Sequence, residues 1–288
     1  MTPDEYCQQQ AGTRGSSFYY SFLFLPTPQR RAITALYAFC REVDDVVDEC
    51  SDPQLARTKL AWWRQEIAQT FRGMPQHPVT RALLPAITTY SLNEPLFHEI
   101  IDGMEMDLDQ ARYTTFDDLA VYCRRVAVVV GILSATIFGY RDPRTLDFAR
   151  DLALAFQLTN IIRDVGEDAR RNRVYLPTVD LEHFGVPVQD ILNGRETDGV
   201  HALLMFQAQR AEKYYQQAHA SLPAADRLTQ LPSLIMADIY HANLAEIRAD
   251  GFRVLQHKVV LSPLRKLWIA WNTRRREHRR ARRTPSAA

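Results

Sequence analysis

The sequence predicts an all-α fold in a single domain, and three observations carry that prediction. Long apolar segments repeat with the 3.6-residue period of a helix. Glycine is scarce, 11 residues in 288, and prolines stand mainly between the periodic segments. Alternating strand patterns with turn dipeptides are almost absent. Helices are expected over 29–49, 54–72, 78–91, 95–109, 116–138, 143–168, 199–220, 232–250 and 263–280. Pro28, Pro53, Pro78, Pro95, Pro143, Pro232 and Pro263 lie at or near their starts, where a missing backbone N–H costs nothing. Residues 177–195 are the least regular and read as loop with short helical turns. No internal repeat of 20 to 50 residues is present. The expected division is a catalytic-size body over 1–264 and a basic tail over 265–288 that fades into disorder after Arg283.

Composition narrows the function classes. The chain is 46% hydrophobic and 24% charged, a globular balance that can bury a sizeable core. No stretch reaches the roughly 20 apolar residues of a membrane span; the longest uncharged run is 126–140. The N-terminus carries Asp4 and Glu5 without an apolar core, unlike a secretory signal. Cys7, Cys40, Cys50 and Cys123 form no CxxC pair, so a reduced, cytoplasmic protein is the expectation. The net charge of +1 hides an asymmetry. Nine Arg and Lys residues and one acid, Glu277, fall within 265–283, which leaves the body acidic. An acidic body suits cations, and a basic tail suits an anionic surface.

Two acidic clusters stand out. In Arg41-Glu42-Val43-Asp44-Asp45-Val46-Val47-Asp48-Glu49, Asp44 and Asp48 share one helix face, and Asp45 and Glu49 share the next. Like charges at that spacing repel, and the C-terminal half of a helix disfavours negative charge. Acids placed against both rules imply a compensating cation; the plain alternative is a solvated helix end. In the second cluster Gln157, Asn160, Asp164 and Asp168 step by three, four and four, one stripe of a helix whose preceding turns are apolar. That stripe is expected to face inward, where carboxylates pair with cations or titrate. Here the plain alternative is a surface helix end bridged to Arg170, Arg171 and Arg173.

Oxygen-only ligands select hard cations, and magnesium takes few carboxylates and completes its shell with water and phosphate oxygens. Two facing Asp-x-x-x-Asp helices would leave room for a diphosphate between several magnesium ions. A di-iron bundle needs Glu-x-x-His pairs, and a nucleotide loop needs GxxxxGK[ST]; the sequence has neither. Diphosphate departure would leave an allylic carbocation, which calls for a dry channel with aromatic faces. Phe18, Tyr19, Tyr20, Phe22, Phe24, Tyr37 and Phe39 could line it, or could be ordinary core. Ala127, Gly131, Ala135 and Gly139 form a small-residue stripe suited to close helix packing or to a flat prenyl chain.

These segments, with Tyr122-Cys123-Arg124-Arg125-Val126-Ala127 and Arg173-Val174-Tyr175-Leu176-Pro177, resemble the squalene/phytoene synthase family over roughly residues 10–265. Gly15-Ser16-Ser17-Phe18-Tyr19-Tyr20, Trp62-Trp63-Arg64 and Leu264-Arg265-Lys266-Leu267-Trp268 are most similar to bacterial presqualene diphosphate synthases of hopanoid biosynthesis. The resemblance implies an isoprenoid synthase helical bundle with a central cavity. It implies that Asp44, Asp48, Asn160, Asp164 and Asp168 bind magnesium, with NADPH not required. It places Ser17, Phe18, Tyr37, Arg41, Gln157, Arg163 and Tyr240 near the diphosphates or prenyl chains, and gives Tyr122 a proton-transfer role. The chain departs from many relatives at Arg14-Gly15 and at Ala127-Val128, the latter adding bulk at an expected cavity position.

The implied reaction is a prenyl transfer in which two farnesyl diphosphates condense head to head (1'-2-3) to presqualene diphosphate and diphosphate. The proton acceptor is Tyr122 or the released diphosphate. Squalene synthase, with NADPH reduction, and phytoene or dehydrosqualene synthase are the related alternatives. A non-catalytic helical scaffold docked on membrane through its tail is the alternative from another class. Expected partners are the two farnesyl diphosphates, downstream pathway enzymes and an anionic inner-membrane surface, with no nucleic acid.

Overall fold

The computed structural model describes residues 1–12, 17–50, 52–109 and 111–283; the side chains of Ser17 and Phe18 lie outside that description, as do Arg14 and Gly15. Fourteen α-helices are described, with no strand among these residues: α1 (Pro3–Gly12), α2 (Ser17–Phe22), α3 (Thr27–Glu49), α4 (Pro53–Phe71), α5 (Pro78–Tyr90), α6 (Glu94–Asp109), α7 (Phe116–Cys123), α8 (Val129–Phe138), α9 (Arg144–Arg170), α10 (Thr178–His183), α11 (Val188–Leu192), α12 (Asp198–Ser221), α13 (Leu231–Ala249) and α14 (Pro263–Arg283). Apart from 116–138, each expected helix is present as one element, with ends within two residues of the sequence reading except that of α14, which runs three residues further. The short α1 and α2 escape periodicity because a helix of ten residues or fewer shows barely two turns of pattern. Helix starts follow their caps. Asp52 accepts from the Gln54 N–H ahead of Pro53, and Thr115 and Asp118 form a reciprocal capping box at α7.

The expected single helix 116–138 is interrupted. A π turn, Arg124–Val128, joins α7 to α8. It is accommodated by α6: a Cβ on Gly103 would lie 2.7 Å from Val126 Cγ1 and 3.0 Å from Arg125 Cβ, so only glycine lets the widened turn approach. Taken together, Phe116–Phe138 is long and apolar enough to cross a membrane by length and composition, contrary to the expectation that no stretch is. In this fold Leu119, Cys123, Val129, Leu133 and Ile137 are buried among neighbouring helices.

Two large apolar cores flank the centre. One joins α3–α6 and α8 around Leu36, Phe39, Leu60, Ile67, Phe97 and Leu133. The other joins α9, α12 and α13 around Phe148, Leu158, Ile162, Leu204, Tyr215 and Leu244. Burying a side chain of this size contributes about 1.5–3 kcal/mol, so the centre is held from both sides. The helices α8 and α9 cross at Gly131, where a Cβ would meet Ala153 Cβ at 2.8 Å and the Ala149 carbonyl at 2.9 Å. Of the small-residue stripe, Gly131 therefore serves close helix packing, and Gly139 ends α8 at φ 85°.

The basic segment 265–283 is helical and docked. In α14, Lys266, Ile269, Ala270, Thr273 and Glu277 are buried, and Glu277 is clamped by Arg227 at 2.8 Å and Arg276 at 3.1 Å. Trp268 and Trp271, which could have packed on the body, instead face solvent at 61% and 49% exposure. Residues 284–288 lie outside the described residues.

Candidate active site

A cavity of about 430 Å³ opens between the two cores. Its walls come from α3, α6, α8, α9 and α13, and its rim is charged while its depth is apolar. Asp44 and Asp48 project from α3 on one side, and Gln157, Asn160, Asp164 and Asp168 from α9 on the other. The inward stripe predicted for α9 is therefore present. Tyr37, Arg41, Tyr122, Arg163 and Tyr240 line the same cavity. Ser17 and Phe18 lie outside the described side chains.

The aromatic prediction is corrected in part. Among the described members of that set only Phe22 and Tyr37 reach the cavity. Phe39 packs in the core against Trp63 and Phe97, because two residues along a helix from Tyr37 is most of a half turn away. Tyr19 is 61% exposed, and Tyr20 and Phe24 pack toward α14. Deeper lining comes from Leu36, Met104, Val130, Phe138, Leu152 and Phe156. Ala127 lines the cavity whereas Val128 does not, so the added bulk at Val128 falls outside it.

The acids are interleaved with bases. Arg41 reaches Asp44 at 2.6 Å and Asp45 at 2.5 Å. Arg171 and Arg173 cross from the end of α9 to Asp48, at 2.7 and 3.1 Å. The bridge weighed for the second cluster thus exists, but it runs to the opposite helix. Arg163 and Lys258 hold Asp164 at 2.5 and 2.9 Å. Lys258 comes from the segment 251–262 that crosses α9 at Gly166, where a Cβ would collide with the Leu255 carbonyl at 2.4 Å.

Asp107 was not anticipated. It projects from α6 into the cavity and accepts hydrogen bonds from Tyr122 (2.9 Å) and Tyr175 (2.7 Å). The three tyrosines Tyr113, Tyr122 and Tyr175 pack against one another with centroids 5.1–6.0 Å apart. A sequence signal did exist: Phe97, Ile100, Ile101 and Met104 form the buried face of α6, and Asp107 continues that stripe by three residues.

Burial and mutual repulsion act unevenly on these acids. Burial first, then Asp48, pushes Asp44 up to about 6. Burial first, then Asp164, pushes Asp168 up to about 7, and Asp107 adds to both. Burial raises Asp107 as well. Burial would also raise Asp164, but Arg163 and Lys258 outweigh it and hold it below the usual carboxylate range. Burial takes the Tyr122 hydroxyl well above a normal phenol.

The donor set fits a hard cation. Asn160 Oδ1 is buried with no hydrogen-bond partner, an orphan acceptor in the cavity that Asp164 and Asp168 also line. Buried acceptors are rarely left bare. No group of three or more His, Cys, Asp or Glu side chains is gathered tightly enough among the described residues to cage an ion alone. Magnesium does not require such a cage, since it is commonly held by one or two carboxylates plus phosphate oxygens.

Comparison with known proteins identifies the family. Residues 11–265 match the squalene/phytoene synthase family model. The 15-cis-phytoene synthase of Synechocystis sp. is 35% identical, with 93% of this chain and 84% of the relative covered; that of Synechococcus elongatus is 36% identical, with 91% and 89% covered. The crystal structure of squalene synthase HpnC from Alicyclobacillus acidocaldarius superposes with a TM-score of 0.78 at 31% identity, covering 87% of this chain and 94% of that one. A dehydrosqualene synthase in complex with ligand superposes with a TM-score of 0.87 at 28% identity, covering 96% and 97%. The chain belongs to the squalene/phytoene synthase family.

Proposed function

We propose that the chain joins two farnesyl diphosphates head to head, forming presqualene diphosphate and diphosphate with magnesium as the metal. The observation that carries the proposal is the orphan Asn160 Oδ1 in a cavity that it lines together with Asp44, Asp48, Asp164 and Asp168. Asp44, Asp48, Asn160, Asp164 and Asp168 would hold the metal, which when bound neutralises the departing diphosphate. With a metal on the acids, Arg41, Arg163, Arg171, Arg173 and Lys258, now paired with them, would be free to bind phosphate oxygens. The apolar walls hold two prenyl chains in register, which supplies proximity and excludes water. Loss of diphosphate from one farnesyl group leaves an allylic cation at C1. The C2–C3 double bond of the second attacks it, and proton loss closes a cyclopropane. Tyr122 is too strongly buried to ionise, but its hydroxyl already donates to Asp107. It can therefore accept a proton while passing its own to Asp107; the released diphosphate is the other acceptor.

The similarity of three sequence elements to presqualene diphosphate synthases favours a reaction that stops at that intermediate. Phytoene or dehydrosqualene synthesis is the second reading, favoured by the names of the relatives at 35–36% identity and of the structure at TM-score 0.87. Product extraction and mass spectrometry after incubation with magnesium separate them. Presqualene diphosphate from farnesyl diphosphate alone is expected. Dehydrosqualene, a preference for geranylgeranyl diphosphate, or squalene formed only with NADPH would each replace the proposal with the corresponding alternative.

A further inference from the structure

The geometry points to the outward face of α14 as a docking surface for an anionic phospholipid bilayer, an inference independent of the catalytic reading. Buried and exposed positions divide this helix cleanly. Lys266, Ile269, Ala270, Thr273 and Glu277 face the body, where Ile269 and Ala270 meet Leu231, Ile235 and Ile239 of α13 and Leu261, Thr273 bonds Asp238, and Glu277 pairs with Arg227. The opposite line runs Leu264, Trp268, Trp271, Arg275, Arg279 and Arg282, spaced by three or four residues and therefore on one side. Leu264 is 80% exposed, and Leu267, Trp268 and Trp271 beside it are 44–61% exposed. Among the described residues Leu264 is matched in exposure only by Met1, and nowhere else do two solvent-facing tryptophans share a helix face.

The same line changes character along its length. Its first two turns are apolar and its last two are basic. Arg265 and Arg276 are neutralised by Glu246, Asp238 and Glu277. Arg275, Arg279 and Arg282 make no ion pair among the described residues, and Arg275 sits 5.2 Å from the Trp271 ring. A surface that meets this stripe must offer negative charge next to an apolar, water-bounded layer. A bilayer with anionic headgroups offers both, with tryptophan at the headgroup level and arginine on phosphate. A second copy of the chain aligned on this face would set bases against bases.

The placement also has a geometric consequence. The inner face of α13 supplies Pro232, Ser233, Met236 and Tyr240 to the cavity, while its outer face supports α14. Two helices, α14 and α13, with axes roughly 8–10 Å apart, separate the docked surface from the cavity.

The test is sedimentation of the full chain with vesicles of phosphatidylcholine alone, or of phosphatidylcholine and phosphatidylglycerol in equal parts, at low and high salt. Binding to the anionic vesicles only, lost at high salt, is expected. Arg275→Glu/Arg279→Glu/Arg282→Glu should weaken it at least roughly tenfold. Trp268→Ser/Trp271→Ser should weaken binding and abolish the blue shift of tryptophan fluorescence on anionic vesicles. All five positions are exposed, and unchanged thermal melts would show that the fold persists. Equal binding to neutral vesicles, or undiminished binding by the charge-reversed variant, overturns the proposal. So does absence of vesicle binding together with a dimer in solution that the tryptophan substitutions dissolve, which would make a second copy the occupant.

Discussion

The two acidic helices repeat one sequence pattern and solve its electrostatics in opposite order. On α3 the first aspartate, Asp44, is raised to about 6, while the second, Asp48, is clamped by two arginines from across the cavity. On α9 the first, Asp164, is clamped by Arg163 and Lys258 and lowered, while the second, Asp168, makes no ion pair among the described residues and is raised to about 7. Each helix thus carries one acid clamped by two bases and one raised by burial and by its neighbouring aspartate: Asp44, which has Arg41 alone, and Asp168, which has no ion pair among the described residues. Spacing alone puts carboxylates on a face; what surrounds that face decides which of them can wait without metal.

The largest expected effect would erase the contrast. If all four aspartates serve one metal-bound diphosphate, Asp44→Asn, Asp48→Asn, Asp164→Asn and Asp168→Asn should each lower kcat/KM by roughly 10³-fold with the fold intact. EDTA should abolish turnover and magnesium restore it. Full activity in an Asp44→Asn/Asp164→Asn double variant would falsify the metal-site assignment. Next in size, Tyr122→Phe should lower kcat by roughly 10²-fold with little change in KM. Unchanged kcat would leave the released diphosphate as proton acceptor.

Stability should restore the contrast. In metal-free protein near pH 7.5, Asp168→Asn removes an uncompensated charge and should stabilise by about 1 kcal/mol. Asp44→Asn should do so less, since its side chain is 36% exposed and Arg41 keeps Asp45. Asp164→Asn leaves Arg163 and Lys258 facing each other and should destabilise by about 2 kcal/mol, with Asp48→Asn similar. Denaturant midpoints in EDTA decide the signs; one sign for all four would dissolve the difference between the pairs.

The smallest effect is the pH trend. Asp44 and Asp168 bind protons more tightly folded than unfolded, so they oppose folding progressively as pH rises from about 4, the unfolded value, toward 6 and 7. Asp164, lowered in the fold, contributes stability that is lost only at more acid pH. The Tm of metal-free protein should therefore fall between pH 5 and pH 8, and an Asp44→Asn/Asp168→Asn variant should lose most of that slope.

How much of this was legible follows from the same physics. Helix positions and the facing of Asp44, Asp48, Asn160, Asp164 and Asp168 follow from local periodicity, which the tertiary fold did not override. Asp107 sits among Asp102, Glu105 and Asp109, and these three acids conceal the one that extends an apolar stripe. Lys258 reaches the site from a segment without helical period, so no spacing rule could place it. The aromatic set failed because ring count does not give direction: Phe39 and Tyr37 are neighbours in sequence but face different interiors.

The π turn between Tyr122 and Val129 carries a constraint on insertion and deletion. An α-helix advances roughly 100° per residue. On an unbroken helix the lining residues Val130, Gly131, Ser134 and Phe138 would centre well over 100° from Tyr122. The additional residue accommodated by the wider turn cancels most of that rotation, so both halves look into the same space. Deleting one residue within 124–128 would let the turn relax to ordinary helix and swing Tyr122 away from Asp107, without removing any side chain named in the chemistry. Along this stretch residue count is under tighter control than residue identity, and a single lost codon triplet should be more damaging than most substitutions there.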